Sequence, residues 1–592
     1  MTPDSNEICH PPETDGASLL LVASAGALAL TACGGGGGGG NESADPASPG
    51  SVTMLNLGTG GNEPALATAA TRPSARDAAR FLTQASFGIQ SVNEIDALQS
   101  QGLAHWLWSQ FNAPTLQHTS YLAVQSFRKN PAKAVDEMSY EAIWQQWLTG
   151  TDQLRGRMAF ALSQILVISN IAPDLRPYAM SSYMDLLNRN AFGNYRTLLK
   201  EVTLHPAMGY YLNMIESEKD DAKRGIHPNE NYAREILQLF SIGLVELNPD
   251  GSTRLDATGK SIPTYTETEI KGFAKAFSGW TFASQNPADP KSFHRADENL
   301  NSNWTAPMRA FPSMHSAEPK KLLGNVTLAA NQSPEKDLDD ALDNIFNHSN
   351  VGPFIGRQLI QRMVTSNPSP AYIQRVTHAF NNNGSGVRGD LKAVVQAVLL
   401  DSEARAPAEQ QAPNFGKQRE PVIRFATYLR ALGAKSSNGI NTIHYLDGAD
   451  DALGQSPLLA PSVFNFFSPS YRQPGAVAHA GLVSPEFQIT TETSVVGSLN
   501  FFARLINDEA YGWGPGRLVL NLLPLMALAA VPISLIDRLD VLLFAYQMSS
   551  STRARLVQML NAMPQKSQWD LKNRVKAALI VTALSPDFVI QK

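Results

Sequence analysis

Asn231-Tyr-Ala-Arg-Glu-Ile-Leu-Gln-Leu-Phe240 is the stretch whose periodicity decides the fold class. Asn231, Glu235 and Gln238 stand at i, i+4 and i+7 and so share one face of a helix. Ile236, Leu237 and Phe240 occupy the other side, which is expected to pack inward, and Arg234 lies beside the polar stripe. Just upstream, Pro228 suits a first helical position and Glu230 a first turn, where its charge complements the helix dipole. The pattern predicts an amphipathic helix over 231–244.

The same period recurs in both directions. Toward the N-terminus it starts at Ser74 and returns over 157–169 and 183–199. Toward the C-terminus it marks 267–277, 337–346, 352–364, 371–380, 391–400 and 420–432, then 492–506, 533–546, 551–560 and 571–584. Strand signals are few. The best is a hairpin over 247–265 turning at Asn248-Pro-Asp-Gly251. Leu518–Ile536 is uncharged for 19 residues, but Asn521, Pro524 and Pro532 interrupt it and Ser534 reads as a cap. Two buried helices joined by a turn are expected there rather than a membrane span. The expected fold is mainly α: a multi-helix globular body with few short strands or hairpins. The main body is placed at 74–405 and a C-terminal helical region at 406–592, packed on it, with the loose segment Ala406–Phe415 between.

Composition narrows the function classes. Of 592 residues, 43% are hydrophobic and 17% charged, as in a globular protein. The net charge is -5 and no dense Lys/Arg stripe exists, so nucleic acid is not an expected partner. Cys9 and Cys33 are the only cysteines and both precede the helical region, so that region holds no disulfide, cysteine zinc site or thiol nucleophile.

The N-terminus has its own pattern. The apolar run Ala17–Leu30 leads into Leu30-Thr-Ala-Cys33, which reads as a signal peptide over 1–33 and resembles the bacterial lipobox. That resemblance implies acylation of Cys33, and membrane contact through the lipid anchor only. The absence of Lys and Arg before Arg72 departs from the usual signal pattern. Gly34–Gly40 opens a linker over 34–73, rich in Gly, Ser and Pro, which suits a tether. The expected location is the cell envelope, as an outer-membrane lipoprotein.

Further strings carry a wider resemblance. Phe81-Leu-Thr-Gln-Ala-Ser-Phe-Gly88, Asn190-Ala-Phe-Gly-Asn-Tyr195, His205-Pro-Ala-Met208 and Asn229-Glu-Asn-Tyr-Ala-Arg-Glu235 are four of them. Phe277-Ser-Gly-Trp-Thr281, Arg357-Gln-Leu359, Arg388-Gly-Asp-Leu391 and Ser585-Pro-Asp-Phe588 complete the set. Together they resemble the bacterial family catalogued as domain of unknown function 1800, over roughly 74–592. The resemblance implies export and a possible sulfatase-like companion protein, and it implies no reaction. Gln238 stands where that family commonly has Glu, and His315 is followed by Ser316 where Asp is common.

The residues best suited to chemistry are Glu235, Glu230 and Arg234. A carboxylate beside an arginine suits acid–base work, and glycoside hydrolysis needs two carboxyls about 5–10 Å apart. Glu230 lies five residues before Glu235 and points away from it on one helix, so Glu201 and Glu216 stand as equal candidates for the partner. A structural network, with Glu230 and Arg234 as an i, i+4 ion pair, competes with this reading. His205 joins the catalytic candidates, though its place before Pro206 also suits a cap. Asn231, Trp280 and His315 are the substrate-binding candidates, with Trp304, Phe282 and Phe293 near Trp280 in sequence. No cofactor is implied. A metal would need His205, His315 and Glu235 to meet through folding, and the Asp250, Ser252 and Asp256 spacing reads as a turn rather than a calcium loop. The resulting expectation is an exported hydrolase of an extracellular polymer such as a polysaccharide. The alternative is a non-catalytic lipoprotein scaffold that docks the companion protein.

Overall fold

Helix boundaries follow the capping chemistry of the sequence. In the computed structural model, Ser74 accepts from the Asp77 amide to open Ala75–Ala85, and Asp390 accepts from Lys392 and Ala393 to open Leu391–Leu400. Thr266 and Glu269 close a capping box at the start of Glu267–Ala276. Proline opens Pro177–Asn190, Pro206–Tyr211, Pro334–Phe346, Pro370–Asn381 and Pro421–Ala431, where its missing N–H costs nothing. The structure describes residues 71–592 except 130–134 and 172–174, together with Leu66 and Thr68. The expected signal peptide over 1–33, with Cys33, and nearly all of the expected linker over 34–73 lie outside the described residues.

The described residues carry 25 α-helices, with strands only in two-stranded antiparallel pairs. The fold is mainly α. Pro177–Asn190 sits at the centre, packed by His118–Lys129, Asp136–Thr149, Gln153–Ser163 and Tyr195–Thr203. Beside it, Phe87 stacks on Trp147 with ring centroids 4.3 Å apart, and Trp144 and Phe160 meet Trp147 edge-on. The 406–592 segment shares this core. Thr427 Oγ1 donates to the Phe87 carbonyl at 3.3 Å and Arg430 Nε to the Gly88 carbonyl at 2.9 Å. Ile590–Gln591 pairs antiparallel with Lys417–Gln418, and Gln591 Nε2 donates to the Met363 carbonyl at 2.8 Å.

Several local expectations shift. The 183–199 stretch is two helices, because Gly193 and Asn194 break it and Asn194 caps Tyr195–Thr203. The 231–244 stretch is helical only over Asn231–Gln238. Gly243 then turns with φ +72°, and a β-carbon there would meet the Phe354 ring at 2.8 Å. The 247–265 region forms antiparallel bridges (Val245 with Pro263, Leu247 with Thr253, Leu255 with Ser261), since turns at Asn248–Gly251 and Asp256–Gly259 interrupt it. Leu518–Ile536 contains the strand Leu518–Val519 and the short helix Leu523–Met526, and enters Pro532–Leu539. Among the described residues no helix is long and apolar enough to cross a membrane.

Candidate functional site

The Asn231–Gln238 helix begins three residues after Pro228, and Asn229 Oδ1 accepts from the Asn231 amide at 2.9 Å. Tyr232, Ala233, Ile236 and Leu237 are buried, as the apolar face requires. Tyr232 anchors the helix through a 2.7 Å hydrogen bond with Thr203 Oγ1. Glu235 is carried inward with them and is 7% exposed.

That burial makes Glu235 chemically distinct. Its Oε2 has no hydrogen-bond partner among the described residues. Loss of solvent raises its pKa, and the Arg234 charge only partly opposes the rise. Two phenols feel the Glu235 charge. Burial and then the Glu235 charge push Tyr211 and Tyr265 up to about 12, and the Tyr265 hydroxyl is buried without a partner. Glu235 is thus a carboxyl disposed to keep its proton, beside two phenols that keep theirs.

A second carboxyl pair stands across Arg234. Arg234 Nη2 reaches Glu230 Oε2 at 3.3 Å and Glu267 Oε1 at 3.4 Å. Glu230 and Glu267 share a hydrogen bond. Burial and that bond raise the Glu230 carboxyl, while the same bond lowers Glu267. Asn231 Nδ2 donates to Asn213 Oδ1 at 3.1 Å. The site therefore holds a buried carboxyl raised by desolvation and an exposed one that is lowered, both within the field of Arg234.

The other candidates lie in separate surroundings. His205 caps Pro206–Tyr211 by accepting from the Ala207 amide at Nδ1, 3.2 Å away. Its Nε2 is 3.1 Å from Ser182 Oγ, and Ser182 donates to the Trp304 carbonyl at 2.8 Å. Because Nδ1 accepts, the ring proton sits on Nε2 and points at the serine. The pair runs in the wrong direction to activate Ser182 as a nucleophile. Burial holds the ring neutral, with its pKa lowered to about 3.

His205 and Ser182 line a cavity of about 850 Å³ whose charges pair with one another. Arg189 meets Glu201 at 2.6 Å, and Arg196 and Lys200 meet Asp339 at 3.1 and 2.7 Å. Glu201 is thereby occupied, and Glu216 is 3.1 Å from His294 Nδ1.

His315 is 4% exposed and holds the protein together locally. Its Nδ1 lies 2.8 Å from the Ser278 carbonyl oxygen and its Nε2 2.8 Å from Asp337 Oδ2. Trp280 is 4% exposed in the strand Trp280–Thr281, while Phe282 meets Trp304 edge-on at 5.1 Å inside the core. These rings offer no open stacking face. His205, His315 and Glu235 share no partner, and among the described residues no group of three His, Cys, Asp or Glu side chains is placed to hold a metal ion. Asp250 and Asp256 accept from the backbones and hydroxyls of Ser252 and Thr258 in ordinary Asx turns.

The comparison with known families agrees with the motifs. A family model described as "Protein of unknown function (DUF1800)" matches residues 80–590. The chain belongs to this family. No curated protein and no solved structure matches it. The family therefore supplies a shared architecture, and the reaction has to be argued from side chains. Sequence reasoning found Glu230, Arg234 and Glu235, and it missed Glu267, Tyr211 and Tyr265. Glu267 carries a visible signal as the first residue of a capped helix, but its meeting with Glu230 depends on how two helices pack.

Proposed function

We propose that this protein is an acid–base hydrolase of a polysaccharide, with Glu235 as proton donor. The supporting observation is the Glu235 carboxyl, buried, raised in pKa and lacking a partner for Oε2. In the proposed step Glu235 gives its proton to the glycosidic oxygen as the C–O bond to the anomeric carbon breaks. Water attacks that carbon and passes its proton to the ionised Glu267 carboxylate, which Arg234 orients. Asn231 orients the substrate beside the acid. The protein would act at the cell envelope, held through an acylated Cys33 and the 34–73 tether.

The test is reducing-sugar release from a panel of neutral and acidic polysaccharides, comparing the wild type with Glu235→Gln. Removing a general acid typically lowers the rate by about 10²–10⁴-fold. Cleavage at the wild-type rate by Glu235→Gln would take Glu235 out of the reaction. A second reading, a scaffold for a sulfatase-like companion, draws support from large apolar side chains left open in the C-terminal region: Trp513 is 75% exposed, Leu523 and Trp569 each 71%. It requires a stoichiometric partner from native envelopes and no cleavage.

A further inference from the structure

Arg357 carries a charge that nothing answers. It stands on the helix Val351–Met363 and has no carboxylate or hydrogen-bond partner among the described residues. Burial, and after it the like charge of Arg472, pushes the Arg357 guanidinium down. Several buried arginines donate to backbone carbonyls, as Arg157 does to Arg362 and Arg574 to Ala529, although Arg424 too makes no side-chain hydrogen bond among the described residues. A half-buried guanidinium with no acceptor and a like charge beside it is costly unless an anion arrives.

Arg357 is also the junction of two hollows. One, of about 430 Å³, runs from Gln238 and Leu239 past Phe354 to Phe464. The other, of about 540 Å³, continues toward Asn367 and Glu403, and both include Arg357 and Gly251. Gln358, 7% exposed, lines the first and makes no side-chain hydrogen bond among the described residues, its Nε2 being fully enclosed. Turning its amide over presents either a donor or an acceptor to the groove. Phe464, 56% exposed, leaves an open aromatic face at the rim.

We propose that this groove binds an acidic oligosaccharide, with Arg357 forking onto a sugar carboxylate. Each feature matches one part of that ligand. The guanidinium takes a planar carboxylate through two parallel N–H bonds. Sugar hydroxyls both donate and accept, so they satisfy the Gln358 amide in either orientation. The C–H face of a pyranose ring covers Phe464. Gln238, which lines the groove, stands one helical turn beyond Glu235 on the same helix. The inference names the substrate class of the proposed hydrolase and rests on that reading for its link to cleavage, while binding itself is independent of it.

Titration calorimetry with a galacturonic-acid hexamer and a neutral glucose hexamer tests it on the full chain. The wild type is expected to bind the acidic hexamer, and Arg357→Ala to bind it at least about 10-fold more weakly, the scale of a lost charged hydrogen-bond pair. Arg357→Lys, which keeps the charge and loses the fork, is expected to fall between. Hydrogen exchange on the wild type is expected to show acidic-hexamer protection over 354–362 and 463–470, which covers the case in which a variant does not fold. Equal affinity for both hexamers, no binding by the wild type, or full affinity in Arg357→Ala overturns the proposal. Binding without cleavage would sink the hydrolase and leave the groove assignment standing. Cleavage of polyuronate unaffected by Arg357→Ala would do the reverse.

Discussion

Replacing Asp337 with asparagine should remove a large share of the stability of this protein. Asp337 and Lys320 are both 0% exposed. Asp337 Oδ2 accepts from Lys320 Nζ at 2.5 Å and from His315 Nε2 at 2.8 Å, and Oδ1 accepts from Gln332 Nε2 at 2.9 Å. One carboxylate thus ties the loop carrying His315, the strand Lys320–Lys321 and the helix Pro334–Phe346. In Asp337→Asn the lysine ammonium stays buried without a counter-charge, among neutral acceptors such as the Ser316 carbonyl 2.7 Å away. Breaking one side of a buried ion pair costs about 3–5 kcal/mol, against total stabilities of about 5–15 kcal/mol for typical domains. Urea unfolding followed by tryptophan fluorescence measures the loss. The double variant Lys320→Met with Asp337→Leu removes both charges and should recover part of that loss, the donors of His315 and Gln332 left without their acceptor costing about 1–3 kcal/mol. If Asp337→Asn unfolds within about 1 kcal/mol of the wild type, or if the double variant is as weak as the single one, the assignment of His315, Asp337 and Lys320 as a structural cluster is wrong.

Three further outcomes are expected. His205 binds its proton far less readily when folded than when unfolded, so stability should fall as pH drops from 6.5 toward about 3, by about 1.4 kcal/mol per pH unit. His205→Asn keeps a capping side chain and should flatten that part of the acid-unfolding curve, and an unchanged curve would contradict the buried neutral ring. Gly272→Ala puts a β-carbon 1.8 Å from the Lys321 carbonyl oxygen, and a loss of about 1–3 kcal/mol or more in chemical denaturation should follow. Cys33→Ser should release the protein from detergent-extracted membranes into the aqueous phase, while mass spectrometry of the wild type should find an acylated cysteine; an unmodified Cys33 would defeat the anchor proposal.

The legible part of the fold was the part governed by local chemistry. Leu391–Leu400 was readable to the residue, because an apolar period and the Asp390 cap coincide. Glu267–Ala276 was legible from its period to within one residue of its end. Asp136–Thr149 escaped, because it is buried on most sides and so loses the polar stripe that marks a surface helix. At the site, Glu230 with Arg234 followed from i, i+4 spacing, whereas Glu267 reaches them across 33 residues. Burial of Glu235 was hidden for a similar reason: the i, i+4, i+7 stripe marks one face but not how deeply that face sits. Arg357 was noticed only as part of a motif, since the absence of a partner is a property of its surroundings.

The strand pair between Lys417–Gln418 and Ile590–Gln591 has a consequence for how the molecule would survive damage. The segment around Ala476–His479 buries none of its residues and offers an open backbone to a protease. A cut there would leave two fragments, the second beginning in that segment. Glu492–Asn507 and Gln568–Leu584 lie on the far side of the cut, packed together, while Tyr428 on the near side donates to the Leu579 carbonyl at 2.8 Å. With the strand pair bridging the same gap, the nicked protein should still migrate as one particle under native conditions and separate into two bands only in detergent.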